Sequence, residues 1–490
     1  MAVSKGPKIS YTKRNFTTRD NLGINAVGTS YQAELCPVVN TVTPRAFYWM
    51  FAVWNFYDYW QNYSTEKRTM KDFEENFQKR NDYFFILANL LTENSDRDNL
   101  VGKDNCAALL EKYGDGPYEY ERYYFVSHYG GMQYYVPGCS TLGFITEVDA
   151  NGNTLPFPKI TEKIGVPLAK AFEAVIKDTE YYRSYRLRNV PVPRNVLQEL
   201  GGRLSLAMDD MEECKELFRS ALFEPQHTIL FQNEKLIQSK DYLLFLNRKY
   251  GFRKLTPAEM RGVLYDYFCP GGVHEKELPE GLREIATEWE VAIGRQYFAL
   301  SIELIWQYML LELNSPMDLN RWVNTCLNDA SWTIDRKAPL GSIADKAVFE
   351  YEQREKILAP SARVSTGVYR KNLETALLVM LSVCNRFRNR SDVHPQDLEI
   401  GGRISVSELT RMMDEDHEKS VEEMLAFIMV NWVVRRHEEV AFRKMTEGRD
   451  GFFIEKIDDL YYRKVYHSPG YTGNRMLQLM SVLDDLDMLV

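Results

Sequence analysis

The stretch TPRAFYWMFAVWNFYDYWQNY at residues 43–63 decides more about the fold than any other part of the chain. Thr43 followed by Pro44 is typical of a helix start, because a hydroxyl caps the first amides and proline suits the first turn. Ten of the seventeen residues from 47 to 63 are aromatic, and on a helix they point to all sides. A helix that is apolar all round must be covered on most sides. We therefore predict a central buried helix of a large fold, or a surface for another chain.

The composition is that of a large, ordinary globular chain. A length of 490 residues favours two or three domains over one core. The formal net charge of -9 excludes a global basic field, so nucleic acid would have to bind a local patch. The seven cysteines are far apart and form no CxxC pair, which indicates reduced thiols and predicts a cytoplasmic location without a zinc site.

The sequence gives no reason to expect a membrane segment, a bound cofactor or a metal. The first 19 residues are polar and basic, and lack the apolar stretch of a signal peptide. The apolar run of the aromatic helix is too short to span a bilayer and contains Asn55 and Asp58. No GxGxxG follows a strand pattern, and no P-loop or HExxH occurs. We expect no cofactor and no metal ligands.

The patterns along the chain predict a mainly α, multi-helical fold with a small β-hairpin insert. The hairpin is predicted at residues 144–155, with turn residues at 149–152. A helix at 421–445, strands at 452–456 and 460–465, and a last helix at 475–486 form a C-terminal helix-hairpin-helix module. This order is compatible with a winged-helix-like module and equally with an α+β packing unit. The predicted domains are a flexible arm at 1–25, an aromatic helical domain with the β insert at 26–165, a helical domain at 166–330, a helical segment after a linker at 331–404, and the C-terminal α+β module at 405–490.

Two glycine positions add to this outline. A long apolar helix is predicted within residues 279–314, and Gly294 marks a point where it could break. Separately, ELGGRLS at 199–205 and EIGGRIS at 399–405 follow RLRN at 186–189 and RFRN at 386–389 with identical spacing. This echo is explained either by a duplicated unit or by coincidence between two helix-loop-helix joints in which Gly-Gly adopts a turn.

The sharpest catalytic candidate is the segment RNRSDVH at 388–394. Arg388 and Asn389 followed by His394 resemble the active-site motif of HEPN-type ribonucleases, which follows a buried helix in that family. The resemblance implies that His394 is a general acid or base at a ribose hydroxyl, that Arg388 stabilises the phosphorane charge, and that Asn389 orients the pair. Against it, a chain rich in arginine produces such pairs by chance, and Pro395 places His394 at a loop start.

A second candidate site is a basic cluster beside the C-terminal hairpin. Arg435, Arg436, Arg443 and Lys444 fall within one predicted helix and could neutralise a few phosphates of a nucleic acid. Ordinary ion pairing with the many Asp and Glu residues of this chain is the competing explanation.

The two ends of the chain also carry a resemblance. The segment PVVNTVTPRAFYW at 37–49 resembles the opening of uncharacterised helical proteins of bacterial anti-phage defence loci, and PGYTGNR at 469–475 is similar to their ends. The resemblance implies a bacterial host and protein partners encoded nearby.

Together these patterns favour a non-catalytic interaction or scaffold subunit of a multi-protein assembly over an enzyme. Aromatic side chains suit buried interfaces, and no complete catalytic set is found in the sequence. The expected partners are one or more protein subunits. A HEPN-like, metal-independent ribonuclease and a nucleic-acid sensor using the C-terminal basic cluster remain as alternatives.

Overall fold

The structure, a computed structural model, describes most of the chain. The described residues are 15–16, 20–62, 69–93, 97–98, 100–120, 134–149, 151–225, 232–251, 254–344, 347, 354–355 and 368–489. The fold is mainly helical with small two-stranded sheets, as the sequence predicts. The predicted arm at 1–25 lies mostly outside the described residues.

The described part of the chain up to residue 262 is mostly helical. A π-helical turn, Phe73–Gln78, joins two of its helices into one rod, and another, Tyr181–Tyr185, follows a later helix. The helices are α1 Asn25–Leu35, α2 Ala46–Asn62, α3 Met70–Asp72, α4 Lys79–Leu91, α5 Lys103–Tyr113, α6 Val136–Thr141, α7 Gly165–Ile176, α8 Arg194–Arg203, α9 Glu212–Phe223, α10 Glu234–Tyr250 and α11 Pro257–Gly262.

The remaining helices follow a π-helical segment at Val263–Tyr267. A further π-helical segment, Ile428–Val434, connects two of them into a continuous rod. They are α12 Arg283–Glu312, α13 Leu319–Asp329, α14 Leu340–Ala344, α15 Asn372–Phe387, α16 Val406–Glu415, α17 Val421–Phe427, α18 Arg435–Thr446 and α19 Arg475–Asp485.

The strands pair two at a time. Both predicted hairpins, β2–β3 and β7–β8, are confirmed and antiparallel, whereas the short β1 pairs with β6 in parallel. The strands are β1 Asn15–Phe16, β2 Ile145–Val148, β3 Thr154–Ile160, β4 Glu399–Gly401, β5 Ile404–Ser405, β6 Arg449–Asp450, β7 Ile454–Ile457 and β8 Leu460–Arg463.

The chain divides into two compact units, each assembled from separate stretches. The first unit contains the described residues of Met1–Gln32 and Arg261–Gly473, and the second those of Ala33–Met260 and Asn474–Val490. The C-terminal hairpin β7–β8 therefore belongs to the first unit, and the last helix, α19, to the second. The contiguous segments suggested by the sequence stay predictions.

The aromatic helix α2 is the centre of the second unit. Thirteen of its seventeen residues are buried, which confirms the predicted buried helix. Phe47 stacks on Phe85 of α4 with ring centroids 4.6 Å apart, and Phe51 and Trp54 stack on Phe172 of α7. The aromatic load is thus used for packing inside the second unit.

The long helix α12 is the corresponding element of the first unit. It runs unbroken for 30 residues, so a break at Gly294 is not found. Instead, a Cβ atom at Gly294 would lie 2.5 Å from the Phe387 ring, which shows that the glycine is there to let α15 approach. No helix in the described part of the chain has the length and apolar character needed to cross a bilayer.

The two copies of the Gly-Gly-Arg echo have different structures. Gly201 and Gly202 lie inside α8, and a Cβ atom at Gly201 would clash with the Ala88 carbonyl oxygen, 2.4 Å away. Gly401 and Gly402 instead form the tight connection between β4 and β5 with positive φ angles. The turn expected at both copies therefore occurs only at the second, and the echo does not correspond to a repeated structural unit.

Candidate functional site

A cleft of about 490 Å³ in the first unit contains one of the predicted site residues, His394. Five carboxylates and a single arginine, Arg283, are found among its lining residues. We call it the acidic cleft; its lining consists of Tyr31, Pro270, Glu280, Arg283, Glu284, Thr287, Glu288, Val291, Asp392, Val393, His394 and Asp397.

One wall of the acidic cleft is a face of α12. Glu284, Thr287, Glu288 and Val291 follow the i, i+3, i+4, i+7 spacing that places side chains on one side of a helix. Most other residues of α12 are buried in the core. The cleft acids Glu284 and Glu288 are therefore the polar stripe of an otherwise buried helix.

The other wall is the loop that follows α15. The helix ends at Phe387, and the Arg388 amide still donates to the Cys384 carbonyl at 2.8 Å. Asn389 then takes a positive φ of 64°, which turns the chain out of the helical path. His394 has an extended backbone, as expected for a residue before proline, and a 3₁₀ turn at Pro395–Leu398 follows.

A buried carboxylate holds this loop against α12. Glu290 is fully buried, and its Oε1 accepts a hydrogen bond from Arg386 Nε at 2.6 Å. Arg390 reaches Oε2 of the same carboxylate at 3.4 Å. Arg386 also donates to the carbonyl oxygens of Tyr265 and Gly271, at 3.0 and 2.9 Å. One acid on α12 thus binds the last turn of α15 through Arg386 and the start of the loop through Arg390.

The ion network sets the charges at the cleft. Burial raises the pKa of Glu290 to about 7, although Arg386 and Arg390 oppose the rise. Asp392 forms a two-pronged pair with Arg390, with two nitrogen–oxygen distances of 2.6 Å, and this hydrogen bonding lowers the pKa of Asp392. Asp392 therefore stays ionised at neutral pH on the rim of the cleft.

The predicted ribonuclease residues do not all face the acidic cleft. His394 lines it with an exposed ring, and no hydrogen bond of that ring to another described residue is found. Arg388 instead forms an ion pair with Asp414 on α16, and Asn389 is exposed at the turn. Arg388 and Asn389 are not among the cleft-lining residues.

The predicted basic cluster is divided between solvent and the interior. Arg435 is exposed and hydrogen-bonds the Asn431 side chain at 2.7 Å, and Arg443 is exposed as well. Arg436 and Lys444 donate to main-chain oxygens of Leu22 and Asp20, both at 2.9 Å. Two of the four cations thus hold the chain's own N-terminal segment.

The acidic cleft favours cations over phosphates. Its one arginine, Arg283, is already paired with Glu275 at 3.0 Å and with Glu280 at 2.9 Å. Because carboxylates outnumber arginines five to one among its lining residues, the cleft attracts basic groups more than nucleic-acid backbones. In the described part of the chain, no three His, Cys, Asp or Glu side chains are grouped so that they could hold a metal ion.

Sequence reasoning missed the acids of α12. The helical spacing of Glu284 and Glu288 is visible in the sequence, but nothing local indicates that a loop a hundred residues later completes the cleft. Glu290 inside an apolar helix was the available signal, because a buried acid requires cationic partners. Comparison with known protein families, curated proteins and solved structures gives no match for this chain.

Proposed function

We propose that this protein is a non-catalytic interaction subunit of a multi-protein assembly, and that the acidic cleft receives a basic segment of a partner protein. The observation that carries the proposal is the lining of the cleft, which contains five carboxylates and a single arginine, Arg283, itself paired with Glu275 and with Glu280 of the lining. A lysine- or arginine-bearing segment complements such a surface, and electrostatic attraction would speed its association.

The charge of the cleft supports a docking role more directly than a catalytic one. The ion pair of Arg388 with Asp414 turns that guanidinium toward α16, whereas a phosphorane would need it beside His394. Asp392 on the cleft rim is held ionised by Arg390. With five carboxylates and one arginine in the lining, a phosphodiester would meet net negative charge and a basic peptide would meet complementary charge.

We further propose that the assembly is a bacterial anti-phage defence complex in the cytoplasm. The support is the resemblance of residues 37–49 and 469–475 to the ends of such proteins. In the second unit Arg475, the last residue of one segment, donates to the carbonyl oxygen of Val39 in the other at 2.9 Å. This hydrogen bond brings the ends of the two segments together.

The test is a tagged pull-down from a bacterial host, followed by mass spectrometry of protein and nucleic acid. We expect one or more protein subunits to copurify, with recovery that falls as salt rises because charge drives the contact. Glu111→Lys, at an exposed position outside the cleft lining, should leave this recovery unchanged. Purification of the chain alone at low salt would count against the proposal.

Ribonuclease activity is the second candidate, favoured by the exposed His394 ring on the wall of a cleft. In that case the protein would cleave RNA in the presence of EDTA, and His394→Ala would abolish cleavage while the circular dichroism spectrum stays that of the wild type. Equal cleavage by wild type and His394→Ala would assign the activity to a contaminant and reject this candidate.

A further inference from the structure

A continuous helical rod of the first unit presents exposed aromatic and basic side chains. The rod consists of α17, the π-helical segment Ile428–Val434 and α18. Phe427 and Phe442 are 37% and 59% exposed, and Arg435 and Arg443 are exposed as well. Phenylalanine is among the residues most often buried, so two exposed phenylalanines on one rod require an explanation. We call these four residues the outer stripe.

The four side chains of the outer stripe lie on the same side of the rod. Arg435 Nη1 donates to Asn431 Oδ1 at 2.7 Å, and Asn431 Nδ2 donates to the Phe427 carbonyl oxygen at 3.0 Å, which aligns these three residues. Phe442 and Arg443 follow Arg435 by seven and eight residues, about two helical turns. The outer stripe is therefore about 20 Å long from Phe427 to Phe442.

The other side of the rod is anchored in the core, so the outer stripe is held in place. On α18, His437 is fully buried and Val440 is 1% exposed. The Phe427 ring lies edge-on against the buried Trp432 ring, with ring centroids 6.1 Å apart. A surface that is already ordered loses little conformational entropy when it binds a ligand.

The arginines of the outer stripe carry charge that the described residues do not neutralise by direct pairing. Neither Arg435 nor Arg443 forms an ion pair with a described residue, and Arg435 bonds only the neutral Asn431. The neighbouring acids are each bound to another side chain: Glu438 accepts from the Tyr461 hydroxyl at 3.1 Å, Glu439 pairs with Arg436 at 3.3 Å, and Glu447 pairs with Arg449. With four cations and two carboxylates, α18 has a net charge of +2 in a chain whose net charge is -9. Two cations of the stripe are thus available for anionic groups of a ligand.

This combination of side chains matches the chemistry of single-stranded nucleic acid. Aromatic rings stack on unpaired bases, and arginines bind phosphate groups, so a stripe of both can follow a strand without reading its sequence. A duplex keeps its bases stacked on one another, where the rings on a helix surface cannot reach their faces. The outer stripe therefore favours single strands over duplexes.

We propose that the outer stripe is a binding site for single-stranded nucleic acid, in which Phe427 and Phe442 stack on bases and Arg435 and Arg443 bind phosphates. The site differs from the basic cluster that the sequence predicts, because Arg436 and Lys444 of that cluster bind main-chain oxygens and the two phenylalanines join the exposed arginines. The inference concerns a different surface from the acidic cleft and does not rest on the proposed function.

Fluorescence anisotropy with the full-length protein at low salt tests the proposal. The probes are fluorescein-labelled oligouridine, oligodeoxythymidine, and the duplex of oligouridine with oligoadenine. We expect both single strands to bind more tightly than the duplex. Phe427→Ala/Phe442→Ala should weaken single-strand binding at least about fivefold and leave its salt dependence unchanged, because stacking releases no counterions. Arg435→Ala/Arg443→Ala should instead reduce the slope of log affinity against log salt concentration by about 1.4, the value for two phosphate contacts.

Matched variants at exposed positions outside the outer stripe separate this site from general effects. Tyr250→Ala, at a residue that is 43% exposed, is the control for loss of an aromatic ring, and Arg188→Ala/Arg248→Ala is the control for loss of two positive charges. Both should bind the single strands as the wild type does, and all variants should keep the wild-type circular dichroism spectrum.

Three results would overturn the proposal. The first is the absence of single-strand binding by the folded wild type, and the second is duplex binding as tight as single-strand binding. The third is equal binding by the stripe variants and their controls, which would assign the nucleic acid to another surface. If the wild type binds no oligonucleotide and Phe427→Ala/Phe442→Ala loses a captured protein, the outer stripe is a protein interface instead.

Discussion

Single residues explain how the first unit tolerates charge in its interior. Glu290 is fully buried yet bonded to Arg386 and Arg390, so it joins α12 to the loop that bears His394. Removing one partner of a buried ion pair leaves the other uncompensated, which is why such a residue is hard to replace. The position of the candidate site thus depends on an acid that does not itself line the cleft.

The pKa of Glu290 predicts a measurable dependence of stability on pH. Its folded-state pKa of about 7 exceeds the usual value of 4.5, so between these values the folded protein holds a proton that the unfolded chain releases. The free energy of unfolding therefore falls as pH rises through this window, by about 3 kcal/mol from this group. Urea unfolding at pH 5 and pH 8 gives the change in the free energy of unfolding between the two pH values. The contribution of Glu290 to this change should be absent in Glu290→Gln.

The exposed Glu111→Gln is the control for this experiment. It should keep the wild-type difference between the two pH values, because its side chain is exposed. An unchanged difference in Glu290→Gln would show that Glu290 titrates at its ordinary pKa.

At the scale of elements, close helix contacts explain where glycine is needed. Gly294 lets α12 and α15 approach, and a methyl group there would collide with the Phe387 ring. We expect Gly294→Ala to lower the free energy of unfolding by about 1–3 kcal/mol through overpacking. Gly28→Ala on α1 meets open space and should be neutral or stabilising, by up to about 1 kcal/mol. Equal melting temperatures for the two variants would contradict the packing role.

The basic residues of α18 make a second prediction at this scale. Arg436→Ala and Lys444→Ala should each lower the free energy of unfolding by about 1–3 kcal/mol, since each removes a charged hydrogen bond to the main chain of residues 20–22. Arg435→Ala/Arg443→Ala should change the free energy of unfolding little.

If α18 also binds nucleic acid, the exposed pair Arg435 and Arg443 should account for the binding, and its loss should reduce the salt dependence of binding. Unchanged RNA and DNA binding in the exposed-pair variant would exclude the cluster as a sensor.

At the scale of the whole chain, the last helix completes the second unit. Asp485 of α19 accepts hydrogen bonds from Arg45 Nε and the Ala46 amide, at 3.0 and 2.8 Å, and so caps the aromatic helix. We expect Asp485→Ala to cost about 3–5 kcal/mol of unfolding free energy at pH 7.5, because the buried Arg45 loses its carboxylate and keeps main-chain oxygens such as those of Asp98 and Leu206. The control is Asp484→Ala at the neighbouring exposed residue, which should lower the free energy of unfolding by less than about 0.5 kcal/mol. Similar losses in both variants would contradict this role of α19.

Local patterns predicted the elements of this fold well and their assembly poorly. The aromatic helix and both hairpins could be predicted from residue patterns and turn residues. The predicted cap was wrong, because the Thr43 hydroxyl bonds Asn40 and the helix begins at Ala46. The return of α19 to the second unit could not, because the pairing of Arg45 with Asp485 spans 440 residues and has no local signature. The Gly-Gly-Arg echo gave a wrong expectation of two like turns, since packing against Ala88 holds its first copy in a helix.

The sequence likewise predicted only part of the candidate site. The ribonuclease resemblance drew attention to the loop that borders the cleft, and His394 does line it. The acids that define the character of the cleft come from α12, and only tertiary packing brings them to that loop. Sequence spacing therefore located one wall of the site and left the other unseen.

The proposed function depends most on the negative charge of the acidic cleft. The direct measurement is quantitative mass spectrometry of partners captured by wild type and by Glu284→Lys/Glu288→Lys, which reverses two charges on one wall. We expect the variant to lose at least about tenfold of the captured partner, and Glu111→Lys/Glu455→Lys, two exposed positions outside the cleft lining, to capture it normally. Equal capture by the cleft variant and the wild type would contradict the account.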